Sequence, residues 1–177
     1  MIFTEIKLAG VFIIDIEPIS DERGFFARTF CKKEFQQRVL VSEFDQCSVS
    51  YNKTKGTLRG MHYQAAPHAE TKIVSCIKGA FYDVVLDLRR ESNTFKQWVG
   101  VELTSGNRRS LYIPEGCAHG FLTLQDNSEV YYQISEFHHP ESARGVRWDD
   151  PAFGIEWPVK VANVSSRDQS YPFWRVF

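Results

Sequence analysis

From Phe44 to about residue 137 the chain keeps a rhythm of short β-prone runs separated by turn residues. Lys72 to Ile77, the turn Lys78-Gly79 and Ala80 to Leu88 read as a hairpin whose second strand is buried on both faces, because its apolar residues run without alternation. Trp98 to Leu103, the turn Ser105-Gly106-Asn107, Arg109 to Ile113, Gly120 to Leu124 and Glu129 to Ile134 continue the series. Short strands at such spacing predict a sandwich or jelly roll. An aromatic content of 14% agrees with many packed strand faces. Upstream, Gly10 to Glu17 reads as a strand stopped by Pro18, Asp21 to Gly24 as a turn, and Phe25 to Phe30 as a second strand. Lys32 to Val39, with Phe35 and Val39 four apart among polar residues, predicts one short amphipathic helix. From about 140 to 177 the periodicity weakens around Trp148, Trp157 and Trp174, as in a wrapping extension. At 177 residues with no repeat or linker, the expectation is one domain, residues 1–177. A chain of that length buries roughly 70% of its unfolded surface.

Charge and cysteine usage narrow the function. A net charge of -1 removes the electrostatic case for nucleic acid or an anionic membrane, although a local basic patch can still hold phosphate. Cys31, Cys47, Cys76 and Cys117 show no CxxC spacing, and the first residues carry no signal-peptide pattern. Both point to reduced thiols and a cytoplasmic location. Apolar runs such as Val11 to Ile14 are far too short to span a bilayer.

The chemistry gathers on Gly56-Thr-Leu-Arg59-Gly-Met-His62-Tyr-Gln64. Strand alternation would put Leu58, Gly60, His62 and Gln64 on one face, and Arg59, Met61 and Tyr63 on the other. Read alone, this is a core strand with one hydrogen-bonded histidine. Lys72, Pro114-Glu-Gly-Cys-Ala-His119, Tyr132 and Asp168 also sit beside strand-like runs, and together they look like an active site. By local sequence, Asp168 is a turn residue and Lys72 a solvated strand lysine. His68, His138 and His139 flank prolines in polar stretches and read as exposed.

A glycine strand with a histidine, followed by Pro114-x-Gly116-x-x-His119, resembles the cupin superfamily. A metal-binding cupin places a second histidine two residues after the first. Here Gln64 stands there, and an amide is a poor ligand beside imidazole and carboxylate. No catalytic metal and no cofactor are therefore expected. The resemblance becomes specific when Asp21-Glu-Arg-Gly-Phe-Phe26, Leu58 to Gln64, Gly79 to Val84, Ile113 to Phe121, Trp148-x-Asp-Pro151 and Ile155-x-Trp-Pro158 are read in order. They look like the dTDP-4-dehydrorhamnose 3,5-epimerase family. The resemblance implies an all-β, cupin-type jelly roll (double-stranded β-helix) with one or two short helices. It also implies a homodimer with strands exchanged between subunits and a nucleotide-diphosphate sugar as substrate.

Inverting a carbon beside a ketone needs a base, a donor for the enolate oxygen and an acid on the opposite face. The resemblance assigns these roles to His62 as base, Asp168 as its orienting carboxylate, Lys72 as the enolate's cation and Tyr132 as acid. Tyr131 would point to the other face of the strand, into core. The same resemblance implies substrate contacts from Arg23, Phe26, Arg28, Gln46, Arg59, His119, Glu141 and Arg167, with Asp83 supporting His62 or His119. Ser48 stands where the family commonly has asparagine, and Arg28 where dTDP-specific members carry glutamate. The runner-up activities are a 3-only epimerase and a 3,4-ketoisomerase, and the reading from another class is a sugar-nucleotide binding module without turnover.

Overall fold

A computed structural model describes residues 1–174, so the last three residues of the expected 140–177 extension lie outside the described residues. Two six-stranded sheets face each other. The first contains β1 (Ile2–Glu5), β2 (Phe12–Asp15), β5 (Gln46–Asn52), β7 (Lys72–Lys78), β10 (Ser110–Ile113) and β12 (Ser128–Ile134), in the order β1-β2-β10-β7-β12-β5. In the second, β6 (Thr57–Gln64), β8 (Ala80–Asp87), β9 (Trp98–Thr104), β11 (Cys117–Thr123) and β13 (Ala143–Gly145) run in the order β13-β6-β11-β8-β9. β14 (Asn163–Val164) adds to it by parallel pairing with β6. A separate hairpin, β3 (Ile19–Asp21) with β4 (Gly24–Phe26), stands off both sheets. The helices α1 (Lys32–Gln36) and α2 (Ser166–Ser170) have five residues each. This is the expected all-β sandwich of the cupin jelly roll. No helix among the described residues is long and apolar enough to cross a membrane.

Three apolar clusters hold these layers. Val74, Cys76 and Val130 from the first sheet meet Phe81, Val85, Leu103 and Phe121 from the second. Behind the second sheet, Met61, Val84 and Leu86 are covered by Val146, Phe153, Trp157 and Trp174 of the C-terminal segment. Outside the first sheet, Phe35 of α1 packs with Ile14, Ile73 and Tyr112. β8 is buried along nearly its whole length because both of its faces are covered, as its unbroken apolar run predicts.

Several local expectations fail for physical reasons. β7 and β8 do not pair; each is flanked by other strands of its own sheet, and Lys78-Gly79 is the corner where the chain crosses between sheets. Gly79 sits at φ +76, and a Cβ there would lie 2.4 Å from the Ser128 hydroxyl oxygen, so the corner is packed as well as bent. α1 ends at Gln36, not Val39, and Val39 is 93% exposed at φ 59; Leu40 packs into the Phe35 cluster in its place. The strand expected over Phe25 to Phe30 shrinks to β4, while β1 has no strong sequence signal. Tyr131 does point away from Tyr132, but into a half-exposed position beside Cys47, not into core.

Strict alternation also fails on β6. His62 pairs with His119 and Arg59 with Phe121, so three steps along β6 oppose two along β11. That bulge puts Arg59 and His62 on the same side. It is accommodated where two glycines meet: Gly60 has φ +141, and a Cβ on it would come within 2.5 Å of the Gly120 Cα. Neither backbone can yield inside a paired sheet. Gly60→Ala should therefore destabilise the fold by about 3 kcal/mol, combining overpacking with a left-handed alanine. Urea unfolding measures it, and a loss below about 0.5 kcal/mol would show that β6 and β11 separate without cost.

Candidate active site

Residues of both sheets and of the segment 163–168 line an open cavity of about 590 Å³. β6 brings Arg59 and His62, β7 brings Lys72, β11 brings His119, and β12 brings Tyr132. Arg167 and Asp168 arrive from α2. These residues, scattered from 59 to 168, converge because β6 neighbours β11 and β14 in one sheet, β7 neighbours β12 in the other, and the two sheets face each other.

The decisive contact is His62 Nε2 to Asp168 Oδ1 at 2.6 Å. The imidazole is 38% exposed and faces the cavity, whereas the carboxylate is 4% exposed. Burial alone would raise the Asp168 pKa. The hydrogen bond and charge of His62, the Gly60 N–H and the Ser165 contact outweigh it and hold the carboxyl below its ordinary value. Asp168 also lies inside α2, where its own N–H donates to the Ser165 side chain at the helix start. An anionic acceptor on Nε2 fixes the proton there and leaves Nδ1 as the basic nitrogen.

A second pair, His119 Nε2 with Asp83 Oδ1, lies deeper. Asp83 therefore supports His119, not His62. It is fully buried, Oδ2 has no partner among the described residues, and burial drives its pKa up against the opposing effects of His119 and Lys72. Tyr132 stands edge-on to His119, ring centroids 6.3 Å apart, with its hydroxyl 3.2 Å from Ser50 Oγ. Burial pushes its phenol well above the ordinary value, so it stays protonated and can act as a proton donor. Lys72 is not solvated: its side chain is 12% exposed and its ammonium meets Glu70 at 2.7 Å. Arg59 is aimed by Asn52, whose Oδ1 accepts from Nε at 2.8 Å.

The profile of the dTDP-4-dehydrorhamnose 3,5-epimerase family matches residues 5–175. The chain belongs to this family. A dTDP-4-dehydrorhamnose 3,5-epimerase of Shigella flexneri is 44% identical over 163 residues, covering 92% of this chain and 90% of the relative. Two solved dTDP-sugar epimerases superpose closely. One, from Bacillus anthracis with TDP and pyrophosphate bound, has a TM-score of 0.93, 37% identity and coverage of 97% and 98%. The other, from Legionella pneumophila in complex with dTDP-4-keto-L-rhamnose, has a TM-score of 0.89, 35% identity and coverage of 97% and 91%. As a member of this epimerase family the protein is an enzyme of the isomerase class.

Against the residues that the family resemblance implies, His62, Lys72, Tyr132, Asp168, Arg59, His119 and Arg167 meet in one cavity. Five others do not line it. Arg23 is 89% exposed and ion-paired to its own neighbour Asp21. Phe26 and Arg28 line a smaller N-terminal hollow, where Arg28 lies 3.8 Å from Glu34. All three ride on or beside the projecting β3–β4 hairpin, which makes no pairing with the sheets. Gln46 turns to the following loop, its Oε1 accepting from the His138 N–H at 2.9 Å. Glu141 faces His139 at 3.1 Å. His68 and His139, expected to be exposed, are half-buried against one another. Ser50 and Glu70 are contributors that the sequence reading missed; Ser50 was within reach, since β5 alternation places it with Ser48 on the face toward Tyr132.

The pairing of Asp168 has a consequence for folding. Because its folded pKa lies below the ordinary value of 3.8, the unfolded chain binds this proton more readily. The contribution is present above about pH 4 and lost as pH falls below it. Asp168→Asn should therefore flatten the acid limb of stability against pH, read from urea midpoints. A variant with the wild-type slope would show that the His62 contact does not hold this carboxyl down.

Proposed function

We propose that the protein inverts one or both carbons flanking the ketone of a nucleotide-linked 4-keto-6-deoxyhexose. The observation that carries this is the His62–Asp168 pair sharing a cavity with the protonated phenol of Tyr132. His62 Nδ1 takes the proton from the carbon next to the ketone, and the electron pair moves into the carbonyl to give an enolate. Lys72, held by Glu70, and His119 stabilise the oxygen that gains charge. Tyr132 returns a proton to the opposite face, and solvent resets both groups. Arg59 and Arg167 at the cavity wall take the diphosphate, a geometry suited to guanidinium forks. That the B. anthracis structure carries TDP and pyrophosphate supports this ligand class.

Exchange of substrate hydrogen for deuterium in heavy water tests the roles separately. His62→Ala should abolish wash-in at every carbon that the wild type labels; residual exchange within about tenfold of wild type would sink the base assignment. Tyr132→Phe should slow inversion more than proton removal, because it acts only on the return step, and equal loss of both would count against the acid role. Wild-type labelling at two carbons, one or none separates a 3,5-epimerase from a mono-epimerase and from a binding module.

The working unit in this reading is a cytoplasmic homodimer of single-domain chains, in which the hairpin of each subunit completes the cavity of the other. Two features support it: the free-standing hairpin with Phe26 70% exposed, and the exposed apolar side chains of Val49, Tyr51 and Ile77 on strands of the first sheet. Mixing Arg23→Ala with His62→Ala subunits discriminates. If Arg23 acts across the interface, random mixing rebuilds one intact site in each mixed dimer, about a quarter of all sites. No recovery above the two parents would place Arg23 in its own chain's site or outside catalysis.

A further inference from the structure

Among the described residues, one set of imidazole and carboxylate groups outside the cavity converges without serving the reaction. His68, in the loop between β6 and β7, and His139, in the loop after β12, stack with ring centroids 3.6 Å apart and planes 9° from parallel. Glu141 lies 3.1 Å from His139 Nδ1, and Glu136 is 3.8 Å from His139 Nε2. The ligand atoms of His68, His139 and Glu141 all fall within 4.8 Å of one another. Two carboxylates thus stand beside two stacked imidazoles, a donor-rich cluster with negative charge and no cation in it among the described residues. A divalent cation would match that charge and take both rings as ligands.

We propose that His68, His139 and Glu141 form a binding site for a divalent transition-metal ion of the zinc class, at the junction of these two loops and apart from the reaction cavity. The donor set of two imidazoles and one carboxylate suits zinc, nickel or copper and not magnesium or calcium. A fourth position remains for water. Tetrahedral bonds of this type need ligand atoms about 3.4 Å apart. The short closure that this requires falls on Glu141, which is 66% exposed, and on a tilt of the two rings out of parallel.

Two features fix the imidazoles in advance. His68 Nδ1 sits 3.0 Å from Ser142 Oγ, which leaves Nε2 free to ligate, the arrangement that orients metal-bound histidines. The loops themselves are clamped by Gln64: its Nε2 donates to the carbonyls of His68 and Phe137 at 3.1 Å each, and its Oε1 accepts from the His139 N–H at 2.7 Å. The residue that fails as a ligand beside His62 therefore holds a second pair of histidines in register. The loop carrying His68 runs from Gln64 to Glu70, the partner of Lys72, so the ion would tie down the support of the enolate's cation.

Calorimetric titration of tag-free protein with zinc chloride, with magnesium chloride as control, tests the site alongside NMR of the histidine ring protons. One zinc ion per chain should bind and magnesium none, and zinc should move the His68 and His139 Hε1 signals while leaving those of His62 and His119 in place. His68→Ala should abolish stoichiometric binding. Glu141→Gln, at a surface position, should weaken it by about tenfold or more while the circular dichroism and metal-free Tm stay at wild-type values. Absence of a one-to-one zinc complex overturns the proposal. So does zinc affinity unchanged in His68→Ala and Glu141→Gln, or a shift confined to the His62 and His119 signals.

Discussion

A carboxylate taken out of water must be matched by donors, and the match that Asp168 finds organises this molecule. Its oxygens are met by the His62 ring and the Gly60 N–H, both on β6, and its own N–H is taken up by Ser165. Leaving a buried charge without these partners would cost several kcal/mol. The C-terminal segment is thereby held to dock α2 on β6 and to lay β14 along Thr57 and Leu58. The same contact that anchors a segment with weak periodicity orients the imidazole and sets its tautomer. Structure and chemistry share one hydrogen bond.

The bulge opposite His119 is the second constraint. Without it, Arg59 and His62 would face opposite sides of β6, and the imidazole would be separated from a guanidinium that lines the same cavity. The close approach of Gly60 and Gly120 allows the register change without parting the two strands. Period-two reasoning locates this strand correctly and still assigns its faces wrongly, because a single extra residue inverts every side chain beyond it.

That distinction runs through the whole chain. Strands with alternating or fully apolar runs, such as β8, β10 and β12, were legible because burial writes its period into the sequence. Partnership was not. β7 and β8, adjacent and separated by a glycine turn, look like a hairpin, and only the demand for two closed layers sends them into different sheets. Asp168 reads locally as a turn residue because its burial depends on a partner more than a hundred positions away. The family pattern supplied what periodicity could not for His62, Lys72, Tyr132 and Asp168. Gln46 and Glu141, also named by that pattern, contact neighbouring loops in this chain, and Arg23 rides on a hairpin outside the cavity.

The two histidine–aspartate pairs in the cavity look alike in sequence and differ in physics. Asp168 sits at the cavity edge with donors on both oxygens, and its pKa falls. Asp83 is sealed in with one oxygen unmatched, and its pKa rises. Environments that push like groups apart in pKa separate their roles. On the proposed mechanism, the exposed pair is the one able to accept a proton, since a fixed anion behind Nε2 stabilises the imidazolium that forms. On that mechanism the buried pair serves as hydrogen-bond donor toward the enolate oxygen beside Lys72, its sealed-in Asp83 carboxyl holding a proton more readily. In that reading one fold places an acceptor and a donor on neighbouring strands at paired positions, His62 opposite His119, without changing the residue type of either pair.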